Sequence, residues 1–236
     1  MIARSAAMAP RSLEANFEVI EAVTEAGNGL VDLWEASPIC LDSNSPMTDE
    51  VIDILFPGNP LLCCGWSRHR FDTRPRIHWH KLQGLQFIVP NPMTALRGLT
   101  KARKLSAHAL TNTGSRRFLV VEFDFDQNHS TEAARLLTRL QTEGLDVRDL
   151  CAALLLHLAE RAPLALAVYS GGKSIHGWFW AAGQSEATLS RFTRYAESLG
   201  ADPATWTRSQ FVRMPDGLRD NGSRQTVYFF NPEVAR

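Results

Sequence analysis

Residues 164–180, LALAVYSGGKSIHGWFW, are the stretch from which the fold is read. Two apolar runs, 164–169 and 175–180, flank a Gly-Gly turn. Each run is rich in strand formers and too short for a stable helix. A connection this brief joins antiparallel neighbours, because parallel strands need a long crossover. Upstream, residues 117–124 read as a further strand. Residues 130–143 and 147–161 read as helices, with Ser130 and Asp146 as caps. Downstream, residues 185–199 form a helix closed by Gly200, and 211–212 and 226–230 read as strands. The pattern predicts an α+β fold: a mostly antiparallel sheet with helices on one face.

The first half reads less clearly. Residues 11–26 have helical composition and stop at Gly27-Asn28-Gly29. Residues 48–56 read as a short helix with Thr48 as its cap. Pro57-Gly58-Asn59-Pro60 is a turn, and residues 85–89 read as a strand ended by Pro90 and Pro92.

The 236 residues carry no net charge, but the charge is unevenly spread. Residues 1–60 balance at −8, residues 61–117 at +10 and residues 118–236 at −2. So basic a middle segment suits a polyphosphate backbone; it equally suits pairing with the acidic first segment. No apolar run reaches the roughly 18–20 residues of a membrane span, and the N-terminus does not read as a secretory signal. Cys40, Cys63, Cys64 and Cys151 form no CxxC pair. They read as free, buried thiols of a reducing compartment, the cytoplasm.

Two motifs carry chemistry. In FLVVEFDFDQ, residues 118–127, Glu122, Asp124 and Asp126 alternate and so share one strand face. The Cβ atoms of Asp124 and Asp126 would lie about 6.5–7 Å apart, and carboxylates so placed can converge on hard divalent ions. The same acids also fit a plain strand end with Asp126 capping the next helix. In SGGKSIHGWF, two glycines allow a backbone nest for an anion. Lys173 adds positive charge, and Ser174 and His176 share a strand face. This is no Walker A loop, since a strand follows it; a hairpin with a structural His is the plainer alternative. Asp202 precedes a proline and is a possible turn former. Arg213 ends a short apolar strand and can reach a phosphate.

Together FDFD, SGGKSIHGWF and Asp202 followed by VRMP resemble the archaeo-eukaryotic primase superfamily, the primase-polymerases, in its plasmid- and phage-type members. The resemblance covers about residues 117–232. It implies an RRM-like catalytic sheet over 117–236 with flanking helices, and an N-terminal α/β lobe over 1–116 that carries the basic template-binding region. It assigns Asp124, Asp126 and Asp202 as catalytic metal ligands for two Mg2+ or Mn2+ ions. Lys173, Ser174, His176 and Arg213 take the places of nucleotide-phosphate contacts. The implied activity is templated nucleotidyl transfer from NTP or dNTP on single-stranded DNA, in replication of a plasmid, phage or other mobile element. Trp66, Trp79 and nearby arginines would then track the template.

Departures accompany the likeness. The chain has no zinc module and no Walker A motif, so a replicative helicase would act in trans or from a missing C-terminal region, and the chain is either a stand-alone domain or a fragment. RMPDGLRDNG adds Asp216 and Asp220 as rival third acids; spacing favours Asp202. Glu122 has no assigned role beyond supporting the ligands or pairing with an Arg. Rival readings are a non-catalytic replication-initiator or DNA-binding module, and another DxD metal enzyme, a nuclease or glycosyltransferase.

Overall fold

The structure is a computed structural model and describes residues 15–41, 47–125 and 130–235. Its elements, in chain order, begin with helices α1 (Phe17–Glu25), α2 (Leu30–Glu35) and α3 (Thr48–Leu55). Strands β1 (Leu61–Gly65), β2 (Phe71–Pro75), β3 (Phe87–Ile88), β4 (Gly98–Leu99), β5 (Leu105–Ser106) and β6 (Phe118–Phe123) follow. The second half adds α4 (Thr131–Thr142), α5 (Val147–Ala159), β7 (Leu164–Tyr169), β8 (Ile175–Trp180), α6 (Glu186–Ser198), β9 (Val212–Arg213) and β10 (Val227–Phe230).

The fold is mixed α+β with antiparallel sheets. One sheet runs β10-β7-β8-β6, a second runs β2-β1-β3-β9, and β4 and β5 form a separate ribbon. Every strand pairing is antiparallel.

Strand alternation sorts the side chains of the first sheet into two cores. Val121 and Phe123 of β6 face the helices and pack with Ile20, Leu33, Leu136 and Leu155. Phe118 and Val120 point the other way, onto Leu62, Cys64, Ile88 and Val212 of the second sheet. Phe56, just past α3, plugs this second core edge-on against Phe118 at 5.7 Å and Trp178 at 6.4 Å. Helices thus cover one face of the first sheet, and the second sheet covers the other.

The caps follow simple chemistry. Ser130 accepts from the Ala133 N–H at 3.1 Å, Asp146 from Arg148 at 2.6 Å and Ser185 from Thr188 at 3.1 Å. Each satisfies one helix-end donor that would otherwise go unpaired. The expected cap at Thr48 is corrected. Thr48 lies buried inside the first turn of α3, and its predecessor Met47 takes the cap position.

The expected boundary at residue 116 falls before β6, but packing crosses it in both directions. β9, from the second half, completes the sheet built by β1–β3. Helices α1 and α2, from the first half, pack on α5; the Leu30 N–H even donates to Asp149 at 3.1 Å. Among the described residues, no helix is long and apolar enough to cross a membrane. Cys63, Cys64 and Cys151 are buried free thiols as expected, whereas Cys40 is exposed. Burial pushes the thiols of Cys63 and Cys151 up to about 12, which leaves them unreactive.

Candidate functional site

The site lies where β6 and β8 run out past the second sheet. Register sets it. Phe118, Val120 and Glu122 alternate toward that sheet, and β8 pairs Glu122 directly with His176. Paired residues share a face, so Glu122 and His176 continue the row begun by Val120 and Trp178. Where apolar packing ends, this row becomes polar.

Glu122 is the hub. Its Oε1 accepts from the Ser174 hydroxyl at 3.1 Å and lies 3.3 Å from His176 Nε2. The two atoms are close, but the contact lacks hydrogen-bond geometry. Both ring nitrogens lack a hydrogen-bond partner among the described residues, although His176 is only 3% exposed. Burial alone would push the Glu122 carboxyl up. The charge and contact of His176, the Ser174 hydrogen bond and the nearby Arg213 outweigh it and hold the carboxyl at about 2.

The turn before β8 is tied at both ends: the Ser170 N–H donates to Ser174 O at 2.8 Å, and the Ser174 N–H to Ser170 Oγ at 3.2 Å. Gly171 adopts φ +73°, a left-handed conformation that suits glycine. Any Cβ there would lie 3.0 Å from the Arg219 side chain, and one at Gly172 would lie 3.0 Å from Arg219 Nη1. Two glycines are therefore what lets Arg219 lie across the turn, where Nη1 donates to Ser170 O at 3.4 Å. Lys173 reaches Asp124 at 3.1 Å, with both side chains about half exposed.

Arg213 arrives from the second sheet. It pairs with Phe87 in β9–β3, and its guanidinium stands 4.9 Å from the Phe87 ring centroid. Burial lowers its pKa, and the positive charge of Arg219 lowers it further; Glu122 opposes this, and Arg68 adds to it. Arg219 and Arg68 therefore crowd Arg213, whose counter-charge is Glu122. Such crowding is costly unless an anion joins them.

Asp202 sits beside this row. Ala201 bridges to Phe123, and the Asp202 N–H donates to Glu122 O at 2.9 Å. One Asp202 oxygen accepts from the Ala204 N–H at 2.8 Å, capping the 3-10 turn Pro203–Trp206, and the residue remains exposed. Turn former and site neighbour are thus both true of it. Asp126 lies outside the described residues. Among those described, no group of three or more His, Cys, Asp or Glu side chains is arranged to hold a metal ion.

The rival acids have structural work. Asp216 is buried and accepts from Arg224, the Val227 N–H and the Met47 N–H. Asp220 accepts from Gln86 at 2.6 Å. Trp79 is corrected: it is a core residue whose indole donates to Leu62 O, and Trp66 is half-buried, with Trp79 at 5.6 Å and the Arg70 guanidinium 4.8 Å over its ring. Part of the basic segment also pairs with the acidic first segment, for Arg76 binds Asp49 and Asp53 at 2.8 and 2.7 Å.

Sequence reasoning passed over Arg68 and Arg219 and left Glu122 idle. The available signal for Glu122 was its alternation with Asp124. For Arg219 it was the neighbourhood of RMPDGLRDNG, and for Arg68 there was none. No family model, curated protein or solved structure matches this chain.

Proposed function

We propose that the chain is a templated nucleotidyltransferase of the primase-polymerase type, extending or starting short nucleic-acid chains on single-stranded DNA. The observation that carries this reading is a juxtaposition beside the β6–β8 pair: Lys173 at Asp124, Ser174 and His176 at Glu122, Arg213 and Arg219 close by, and exposed Asp202 bonded through its N–H to Glu122 O. Cations and hydroxyls suit a triphosphate; exposed carboxylates beside them suit the metal ions that accompany one. The strands of the first sheet and their helices follow the β-α-β-β-α-β succession of an RRM-like sheet, with β9 of the second sheet intervening before β10, but the last strand joins β7 and leaves β6 at the edge.

The donor set fits Mg2+ or Mn2+, since Asp124 and Asp202 offer only hard oxygens, with Asp126 as the third acid of the motif. A bound pair of such ions would favour deprotonation of the attacking 3′-hydroxyl and offset charge on the α-phosphate and pyrophosphate. The chain's own groups do the rest. Arg213 and Arg219 neutralise the phosphates from the side of the second sheet and from across the glycine turn. Lys173 and Ser174 approach from the turn itself. The orphan nitrogens of His176 are hydrogen-bonding groups that a phosphate oxygen would satisfy. Glu122, committed to Ser174 and His176, keeps both in place and is not a metal ligand in this reading. In this reading the place of action is the cytoplasm, with a replicative helicase as partner, in trans or in a further region of the same protein.

Asp124→Ala tests the assignment. In an assay with single-stranded DNA, manganese and labelled nucleotides, the wild type should build product. The variant should lose at least about a hundredfold in rate, a loss typical of removing electrostatic support from a transition state, with unchanged circular dichroism. Wild-type synthesis by the variant would refute the metal role. Retardation of DNA without synthesis by the wild type would favour a binding module, and strand shortening a nuclease.

A further inference from the structure

The ribbon β4–β5 stands apart from both sheets. Its turn is closed by the Thr100 N–H to Lys104 O at 3.0 Å and the Arg103 N–H to Thr100 O at 2.9 Å. Arg97, Lys101, Arg103 and Lys104 are all exposed, and residues 73–121 contain no Asp or Glu. Arg103 holds φ +57°, a conformation that a turn normally gives to Gly or Asn. Behind this basic tip, Leu99 and Leu105 are cross-strand partners, both more than half exposed. The base of the ribbon is fixed. Thr111 Oγ1 donates to Leu99 O at 2.9 Å, Asn112 Nδ2 to Ala95 O and Ala107 O, and Thr73 Oγ1 of β2 to Ala107 O at 2.7 Å.

A rigid ribbon with a cationic tip and an apolar pair behind it matches the groove of a nucleic-acid duplex. Two-stranded ribbons fit such grooves, lysine and arginine neutralise the flanking phosphates, and apolar side chains lie against sugar and base edges. A membrane fits the order of groups poorly: the charged tip would have to enter hydrocarbon before the leucines reached it. We propose that the β4–β5 ribbon docks double-stranded nucleic acid, with Lys101, Arg103 and Lys104 on the phosphates and Leu99–Leu105 in the groove. This goes beyond the single-stranded template of the proposed function and rests on that function only for where the duplex comes from.

The test is fluorescence anisotropy of the full chain with a labelled short duplex, without nucleotides or divalent metal. Replacing all three tip residues (Lys101→Ala, Arg103→Ala, Lys104→Ala) should weaken binding about tenfold or more near 0.1 M salt. The slope of log affinity against log salt should flatten by roughly 0.9 for each phosphate that the tip no longer neutralises. Replacing the leucines (Leu99→Ser, Leu105→Ser) should weaken binding with the slope unchanged. Both variants should melt as the wild type does, since the residues are exposed. Duplex binding by the tip variant with wild-type affinity and slope overturns the inference. So does a wild type that ignores duplex, or one that binds phosphatidylserine vesicles without competition from duplex. If ribbon-dependent binding persists but no synthesis is found, the proposed function fails and the docking element stands. If synthesis is found without ribbon-dependent binding, the proposed function stands and the docking element fails.

Discussion

Glu122 is ionised under conditions that would protonate an ordinary buried carboxyl, because His176, Ser174 and Arg213 all favour its anion over the opposing effect of burial. Its folded value of about 2 lies below the ordinary 4.5. Its contribution to stability is therefore fully present above about pH 4.5 and is lost as pH falls through about 2. A depression of that size corresponds to stability on the order of 3 kcal/mol. Chemical denaturation between pH 2 and pH 7 should show wild-type stability declining in that acid window and Glu122→Gln following a flatter course. Parallel courses would mean that Glu122 is not the group responsible. The alternation Glu122, Asp124 was legible in FLVVEFDFDQ, but the partners that give Glu122 its work come from β8 and β9. No local pattern pairs residues so far apart in the chain.

The helices and strands of the second half were legible, because their signals are local, whereas α2, β1, β2, β4 and β5 were not read from the sequence. Strands β7 and β8 match the two apolar runs residue for residue, and Ser130 and Asp146 cap the helices they precede, while Ser185, read as the first helical residue, is the cap of α6. Thr48 misled because a Thr before two acids looks like a cap, whereas burial at 2% exposure draws it into the first turn. β8 also carries Gly177, whose purpose is steric. A Cβ there would stand 2.4 Å from Leu155 Cδ2 of α5 and 3.1 Å from Phe179. Helix and strand thus touch through a missing side chain. Gly177→Ala should destabilise the protein by about 1–3 kcal/mol through overpacking, read as a lower denaturation midpoint. An unchanged midpoint would show that α5 can move away from β8 freely.

Assembly of the molecule depends on contacts that join its two halves. Asp216 is one such clamp: from a turn in the second half it accepts from Met47 ahead of α3, from Val227 of β10 and from Arg224, which lies 2.8 Å away. Removing a buried charge that holds an arginine and two backbone donors should cost about 3–5 kcal/mol. Asp216→Ala should therefore lower the unfolding midpoint far more than Asp220→Ala, whose acid is exposed and holds Gln86. Equal effects would refute the clamp. The strand β9 makes the same point, since Val212–Arg213 closes the sheet of the first half and carries Arg213 into the site.

By itself, the sequence determined the α+β class, the antiparallel β7–β8 pair and the capped helices of the second half. All of these follow from periodicity and turn chemistry within a few residues. The tertiary structure alone decided that the two sheets face each other, that Asp216 and Trp79 are internal, and that Glu122, His176, Arg213 and Arg219 meet. Such meetings are set by which apolar faces bury one another, and that choice is made between segments far apart in the chain.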